Sequence, residues 1–217
     1  MRVFNPEELF YNSVVVDLET TGLYAGENQI LQLCAIKPTP RGPVVFNRYI
    51  YAEENPAYWV NRIDPESLKN CPTEREVLRE FWVFVEGREY IVSYNANFEM
   101  DFLESRSEIN GLAYKELDYI CLMKTYSEFF RHGWKKLPIA VRRCLGIRPS
   151  KWHDAKMDAY LTLRLWAFFC FLDNPVRLEF FGHRRWWVYT VRLRKKDKAR
   201  KKQTTEWFGE GEEELPF

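Results

Sequence analysis

The succession of apolar patterns along this 217-residue chain predicts an α/β fold in which a mixed β-sheet is flanked by helices. Three observations predict it: β-branched runs joined by short connections come first, strand-like and helix-like segments alternate afterwards, and a long apolar helix closes the unit. Strands at about 12–18, 29–37 and 43–51 read as a meander that opens on Val14-Val15-Val16. A helix near 73–85 follows, then a short β-branched strand at about 90–94 and a helix at about 96–109 whose apolar side is Phe98, Phe102 and Leu103. A strand near 117–121 and helices near 122–130 and 136–145 come next. The last helix starts at about 155 behind Asp154 as N-cap, and Tyr160, Leu161, Leu163, Leu165, Trp166, Phe168 and Phe169 make it a buried one.

Chemistry concentrates at three places. In Val16-Asp17-Leu18-Glu19-Thr20-Thr21-Gly22-Leu23, two carboxylates stand two residues apart at the end of a strand, so Asp17 and Glu19 project together while Val16 and Leu18 enter the core. Two hard oxygen ligands on one spot are a way to hold a metal ion; a solvated strand edge is the plain alternative. In Ser93-Tyr94-Asn95-Ala96-Asn97-Phe98-Glu99, a strand runs into a helix that leaves Glu99 facing a cleft. In His153-Asp154-Ala155-Lys156-Met157-Asp158, a histidine precedes a helix that carries an aspartate about one turn in. A histidine on a loop can move and titrate, whereas taken by itself it reads as a surface residue.

Together these segments resemble the 3′-to-5′ exonucleases with an Asp-Glu-Asp-Asp metal set and a catalytic histidine, the family that includes the proofreading subunit of bacterial replicative polymerases. Asn61 to Leu68 with Cys71-Pro72-Thr73 is similar to that family's connector, and Leu137-Pro138-Ile139-Ala140 through Leu145-Gly146-Ile147 is similar to its helix before the third motif, so the likeness runs over about residues 10 to 172. The resemblance implies a ribonuclease H-like arrangement of the mixed sheet. It implies two Mg²⁺ or Mn²⁺ ions held by Asp17, Glu19, Glu99 and Asp158, which suits a ligand set of oxygens without cysteine. It also implies His153 as the group that takes a proton from the attacking water. Thr20, Thr21, Gly22, Leu23, Asn95 and Phe98 would meet the terminal nucleotide, though Gly22 can simply permit the turn and Leu23 and Phe98 can simply fill the core. One position departs from the pattern: Glu99 stands where the family usually has Asp. Asp101 is the rival ligand, but two positions along a helix rotate about 200°, which favours Glu99.

Composition fits such a domain. Lys and Arg number 32 against 31 Asp and Glu, and 46% of residues are hydrophobic, enough for a substantial core. The start, Met1 to Glu8, turns acidic instead of apolar, and the longest apolar run, Leu165 to Leu172, is too short to cross a bilayer. A cytoplasmic protein without membrane contact is expected. Five cysteines without a Cys-any-any-Cys pair indicate neither a disulfide framework nor a zinc site.

Asn174-Pro175 reads as a boundary between a domain of residues 1–173 and an extension of 174–217. In the extension, 176–194 reads as a hairpin, 192–202 as a basic segment and 206–217 as an acidic tip. Arg and aromatic residues interleave, including Trp186 and Trp187, as in surfaces that track a nucleic-acid backbone and stack bases, or as in a hairpin packed on its own domain. The tip ends Leu215-Pro216-Phe217 and is similar to the tip of bacterial single-stranded DNA-binding proteins, which implies docking of a replication or repair protein; solvated disorder is the alternative. Gln203 to Phe208 faintly resembles a sliding-clamp-binding peptide but lacks its aliphatic anchor. Three functions follow from the whole chain. The first is an exonuclease on single-stranded DNA 3′ ends, and the second the same reaction on RNA. The third is a weakly active or inactive adaptor, which the Glu99 departure favours.

Overall fold

The computed structural model describes residues 2–114, 116–148, 152–171, 176–180 and 186–190, and of residues 2–4 and the last two segments the backbone alone. The chain begins with β1 (Arg2–Phe4) and α1 (Pro6–Tyr11), a short helix the sequence reading missed. Its signals were there: Asn5 accepts from the Glu7 N–H and Pro6 occupies the first turn, where its missing N–H costs nothing. The meander follows as β2 (Ser13–Thr20), β3 (Ile30–Lys37) and β4 (Val44–Tyr49), antiparallel neighbours in order. Two four-residue helices, α2 (Tyr58–Asn61) and α3 (Pro65–Leu68), form the connector. Next comes α4 (Glu74–Phe84), started by a capping box between Thr73 and Glu76 that contributes about 1 kcal/mol.

β5 (Tyr90–Ser93) returns to pair in parallel with β2, and α5 (Ala96–Ile109) leads to β6 (Asp118–Cys121), parallel to β5. The helices α6 (Leu122–Phe130), α7 (Leu137–Leu145) and α8 (Ala155–Cys170) cover one face. α7 stops at Gly146, whose φ of 76° a side chain would resist. Backbones at β7 (Val176–Phe180) and β8 (Trp186–Thr190) pair antiparallel, giving the sheet order β1-β7-β8-β6-β5-β2-β3-β4. The basic segment 192–202 and the acidic tip, with Leu215, Pro216 and Phe217, lie outside the described residues, as do the side chains of Trp186 and Trp187.

The alternation of β2 sorts the core into two layers. Val14, Val16 and Leu18 pack with α4 and α5, whereas Val15 packs with α6, α7 and α8. Strand order grows one way from β2 through β3 and β4 and the other way through β5 and β6. A crevice therefore opens at the carboxyl ends of β2 and β5, where the connections diverge. Among the described residues no helix is long and apolar enough to cross a membrane. The five cysteines are free thiols, and all but Cys71 are buried.

Candidate active site

Asp17 and Glu19 sit at the carboxyl end of β2 on the face shared with Val15, 9% and 8% exposed. Each is held by cross-strand pairing, Asp17 opposite Cys34 and Glu19 opposite Gln32. Between Glu19 and Thr20 the register shifts, because Thr20 pairs with Ile30 and leaves Leu31 as the extra residue. The bulge turns Leu31 into a small separate core with Ala52, Ile63 and Leu68 beneath the connector, and it ends the strand just past the two carboxylates.

α8 brings the third carboxylate. The Asp154 side chain accepts from the Met157 N–H at 3.0 Å, as an N-cap should, and the Gln32 side-chain oxygen accepts from the buried Ala155 N–H at 3.2 Å. Gln32, the cross-strand neighbour of Glu19, thus sets the start of α8 against the end of β2. Asp158, one turn in, accepts through Oδ2 from the His153 N–H at 3.2 Å. His153 is exposed and has a φ of 61°, a left-handed conformation uncommon outside glycine that histidine tolerates better than most side chains. Single ligand atoms from Glu19, His153 and Asp158 all lie within 4.8 Å of one another, the spread of a metal site.

The fourth carboxylate comes from the opposite layer. Ser93 Oγ donates to the Val16 carbonyl at 2.8 Å and locks the end of β5 to β2 one residue before Asp17. α5 starts there, with Glu99 5% exposed in its first turn and close enough to Asp17 to raise its pKa. Asp101 is exposed, as the helical rotation predicted.

Burial, and then mutual repulsion, governs the electrostatics. Asp17 is pushed well above the carboxylate range by burial and then by Glu99, Asp158, Glu19 and Asp154. Burial chiefly lifts Glu19 and Glu99 to about 8 and Asp158 to about 6. Glu99 Oε2 and Asp158 Oδ1 are buried and have no hydrogen-bond partner among the described residues. Buried oxygens without donors, in a cluster where every carboxylate is raised by another, fit divalent cations that would neutralise them.

The turn after β2 is a braced structure. Thr20 Oγ1 donates to the Gly22 carbonyl at 2.6 Å, and Thr21 exchanges bonds with Gln29 through its N–H and its hydroxyl. The Thr20 hydroxyl therefore keeps only acceptor capacity for a ligand. A Cβ at Gly22 would lie 2.6 Å from Asn28 Oδ1, which already accepts from the Tyr24 N–H, so the glycine is a matter of close approach. Leu23 is 76% exposed, which removes the core-filling reading. Phe98 is half-buried with its ring 4.8 Å from that of Phe102, so it does pack on the core while keeping an open edge. Asn95 is the exposed N-cap residue of α5, and its side chain makes no cap bond.

Sequence reasoning missed three supports. Gln32 is one. A buried pair, Asn55 and Asn61, is another: Asn61 Nδ2 donates to the Thr20 carbonyl at 3.1 Å, while Asn61 Oδ1 accepts from Asn55 Nδ2 at 2.8 Å. The third is Glu74, whose carboxylate takes a bidentate bond from Arg106, one from Asn110 and one from the Ile30 N–H, fastening α4, α5 and the start of β3 together. Each joins positions far apart in the chain, so strand and helix patterning carries no trace of it.

Comparison with known proteins agrees with this fold. The family model described as Exonuclease, RNase T, matches residues 14–166. The chain is 31% identical over 173 residues to a PolC-type DNA polymerase III of Lactococcus lactis, covering 74% of this chain but only 10% of that polypeptide. It is 27% identical over 159 residues to the DNA polymerase III subunit epsilon of Treponema pallidum, covering 70% of this chain and 73% of the relative. In fold it is similar to the nuclease domain of 3′hExo, a DEDDh family member bound to rAMP (TM-score 0.59, 16% identity, 72% of this chain and 89% of that one). It is also similar to E. coli Exonuclease I in complex with a dA16 oligonucleotide (TM-score 0.58, 16% identity, 72% of this chain and 42% of that one).

Proposed function

The chain belongs to the DEDDh 3′-5′ exonuclease family, and from that premise we propose that it releases nucleoside monophosphates from the 3′ ends of single-stranded DNA in a reaction dependent on two divalent cations. The observation that carries the reading is the gathering of Glu19, His153 and Asp158 within 4.8 Å beside Asp17 and Glu99 at the ends of β2 and β5. Asp17, Glu19, Glu99 and Asp158 would hold Mg²⁺ or Mn²⁺, since all four offer oxygen. When bound, such ions offset the repulsion between an anionic nucleophile and an anionic phosphodiester and make a water easier to deprotonate.

The protein's own groups do the rest. His153, exposed at the mouth, accepts the proton of the attacking water and carries it to solvent. Asp158 holds the His153 backbone through Oδ2, so the loop is tied to a carboxylate that would help to hold the cations. The exposed Leu23 and the open edge of Phe98 offer apolar contact to the terminal base, and the braced turn of Thr20, Thr21 and Gly22, with Asn95 across the crevice, borders the terminal nucleotide. We further propose that the tip Leu215-Pro216-Phe217 docks a replication or repair protein, the terminal Phe in an apolar pocket and the acids against a basic rim.

The test is a 5′-labelled single-stranded DNA with Mg²⁺ or Mn²⁺ beside a matched RNA and an Asp17→Ala control. A ladder of shortened DNA products, absent in the control, is the expected result. A preference for RNA would change the substrate, and the absence of cleavage from both would make the chain a binding adaptor.

A further inference from the structure

From Phe129 to His153 the chain contains no Asp or Glu but seven Lys or Arg, in a protein whose formal net charge is only +1. The stretch begins with Arg131-His132-Gly133-Trp134-Lys135-Lys136, between α6 and α7, and all six residues are exposed. The Trp134 side chain, 68% exposed, stands in this cationic run, whereas a tryptophan is highly buried on average.

The loop is fixed, which a merely solvated loop does not need. Arg131 ends α6 in the left-handed region at φ 51°. Ser127 then takes the His132 N–H on its carbonyl at 3.1 Å and returns a bond from its hydroxyl to the His132 carbonyl. Lys136 is the N-cap residue of α7. The decisive fastening is Tyr94: its ring is buried, yet its hydroxyl donates to the Lys135 carbonyl at 2.6 Å. Tyr94 directly follows β5 and precedes Asn95 and α5, and its own carbonyl accepts from the Met123 N–H at 2.8 Å. The loop is therefore pinned to the carboxyl end of β5, the end at which Glu99 enters the crevice.

We propose that residues 131–136 seat the single strand upstream of the nucleotide being removed, with Lys135 and Lys136 against backbone phosphates and Trp134 stacked on a base. The inference rests on the exonuclease reading and deepens it. Charge complementarity argues for a polyanion. An exposed indole among cations adds the base-stacking element of sequence-tolerant single-strand binding, which a duplex backbone would leave unused. The carboxylate crevice repels a phosphate chain, so attraction beside it is what a substrate longer than its terminal nucleotides requires.

The test uses the full chain, Trp134→Ala, and the pair Lys135→Ala with Lys136→Ala, on a 5′-labelled 15-nucleotide DNA and on a dinucleotide that spans only the scissile bond. On the 15-mer, KM rises about tenfold in each variant, the loss expected for one stacked base or two phosphate contacts, while kcat stays within about twofold. On the dinucleotide all three proteins behave alike. The slope of log KM against log salt falls by about 1.4 in the lysine pair, since each phosphate contact contributes about 0.7 on single strands. Equal KM values on the 15-mer, or equal losses on both substrates, overturn the proposal. Anisotropy of a labelled 15-mer in EDTA supplies a readout that needs no turnover. If the unaltered chain cleaves nothing, the exonuclease reading fails, and weaker binding by the variants still supports the seat whereas unchanged binding removes it.

Discussion

The two halves of the site are built differently. Asp17 and Glu19 stand on a strand that pairs with β3 from Val15 to Thr20, buried and held by the sheet, whereas His153 sits exposed on a loop with a positive φ and a backbone bond to Asp158. The contrast suits the two tasks proposed for these residues. Holding closely spaced cations needs carboxylates that stay in place against their own repulsion, and a strand end supplies that rigidity. Taking a proton from water and passing it on needs a group that reaches solvent and can turn.

The contrast is sharpest where the largest effect is expected. Asp17→Ala abolishes turnover, yet its Tm in EDTA is no lower than that of the unaltered chain, because the variant loses a carboxyl group whose ionisation is opposed by burial and by Glu99, Asp158 and Glu19. Activity surviving in that variant would break the comparison. His153→Ala lowers kcat by roughly 10²–10⁴-fold, the usual worth of a general base, while Mn²⁺ binding measured by calorimetry is unchanged; a matching loss of metal affinity would make the histidine a ligand instead. Glu99→Gln weakens metal binding by about 10–100-fold, whereas Asp101→Asn stays within about twofold, which separates the buried carboxylate from the exposed one.

The smallest effect is thermodynamic. Glu19 and Glu99 are lifted to about 8 and Asp158 to about 6 in the folded chain, all above their ordinary values. Between those values and the ordinary carboxylate range the native state binds more protons than the unfolded chain, so stability falls as pH rises from about 5 to 9. Thermal scans in EDTA should therefore show Tm declining across that window. Mg²⁺ or Mn²⁺ binds the deprotonated carboxylates, so the gain in Tm on adding metal should grow with pH. A Tm independent of pH in EDTA would show that burial and mutual repulsion do not hold these carboxyls in their neutral form.

How much of this was legible in the sequence depends on whether the information was local. The strand ending in Asp17 and Glu19, the Asp154 cap and the rotation that turns Asp101 away are written within a few residues of each site, and periodicity alone recovers them. The short helix α1 is marked only by its Asn5-Pro6 cap, because six residues are too few to show a helical apolar period. Gln32, Asn61 and Glu74 were beyond reach for another reason. Each matters through a partner on a different element, and nothing in Ile30 to Lys37 tells that Gln32 will lie opposite Glu19 and receive the first amide of α8. The exposure of Leu23 also needed the three-dimensional turn, since an aliphatic residue after a strand is ordinarily buried.

The Gln32 bond to Ala155 joins residues 123 positions apart, and Asp158 lies beyond it on the same helix. A chain emerging from the ribosome presents Asp17, Glu19 and Glu99 well before that helix exists. Until α8 arrives and its first amide meets Gln32, the site lacks both Asp158 and His153. Synthesis thereby imposes an order in which the candidate site is completed only when its last helix folds against the sheet.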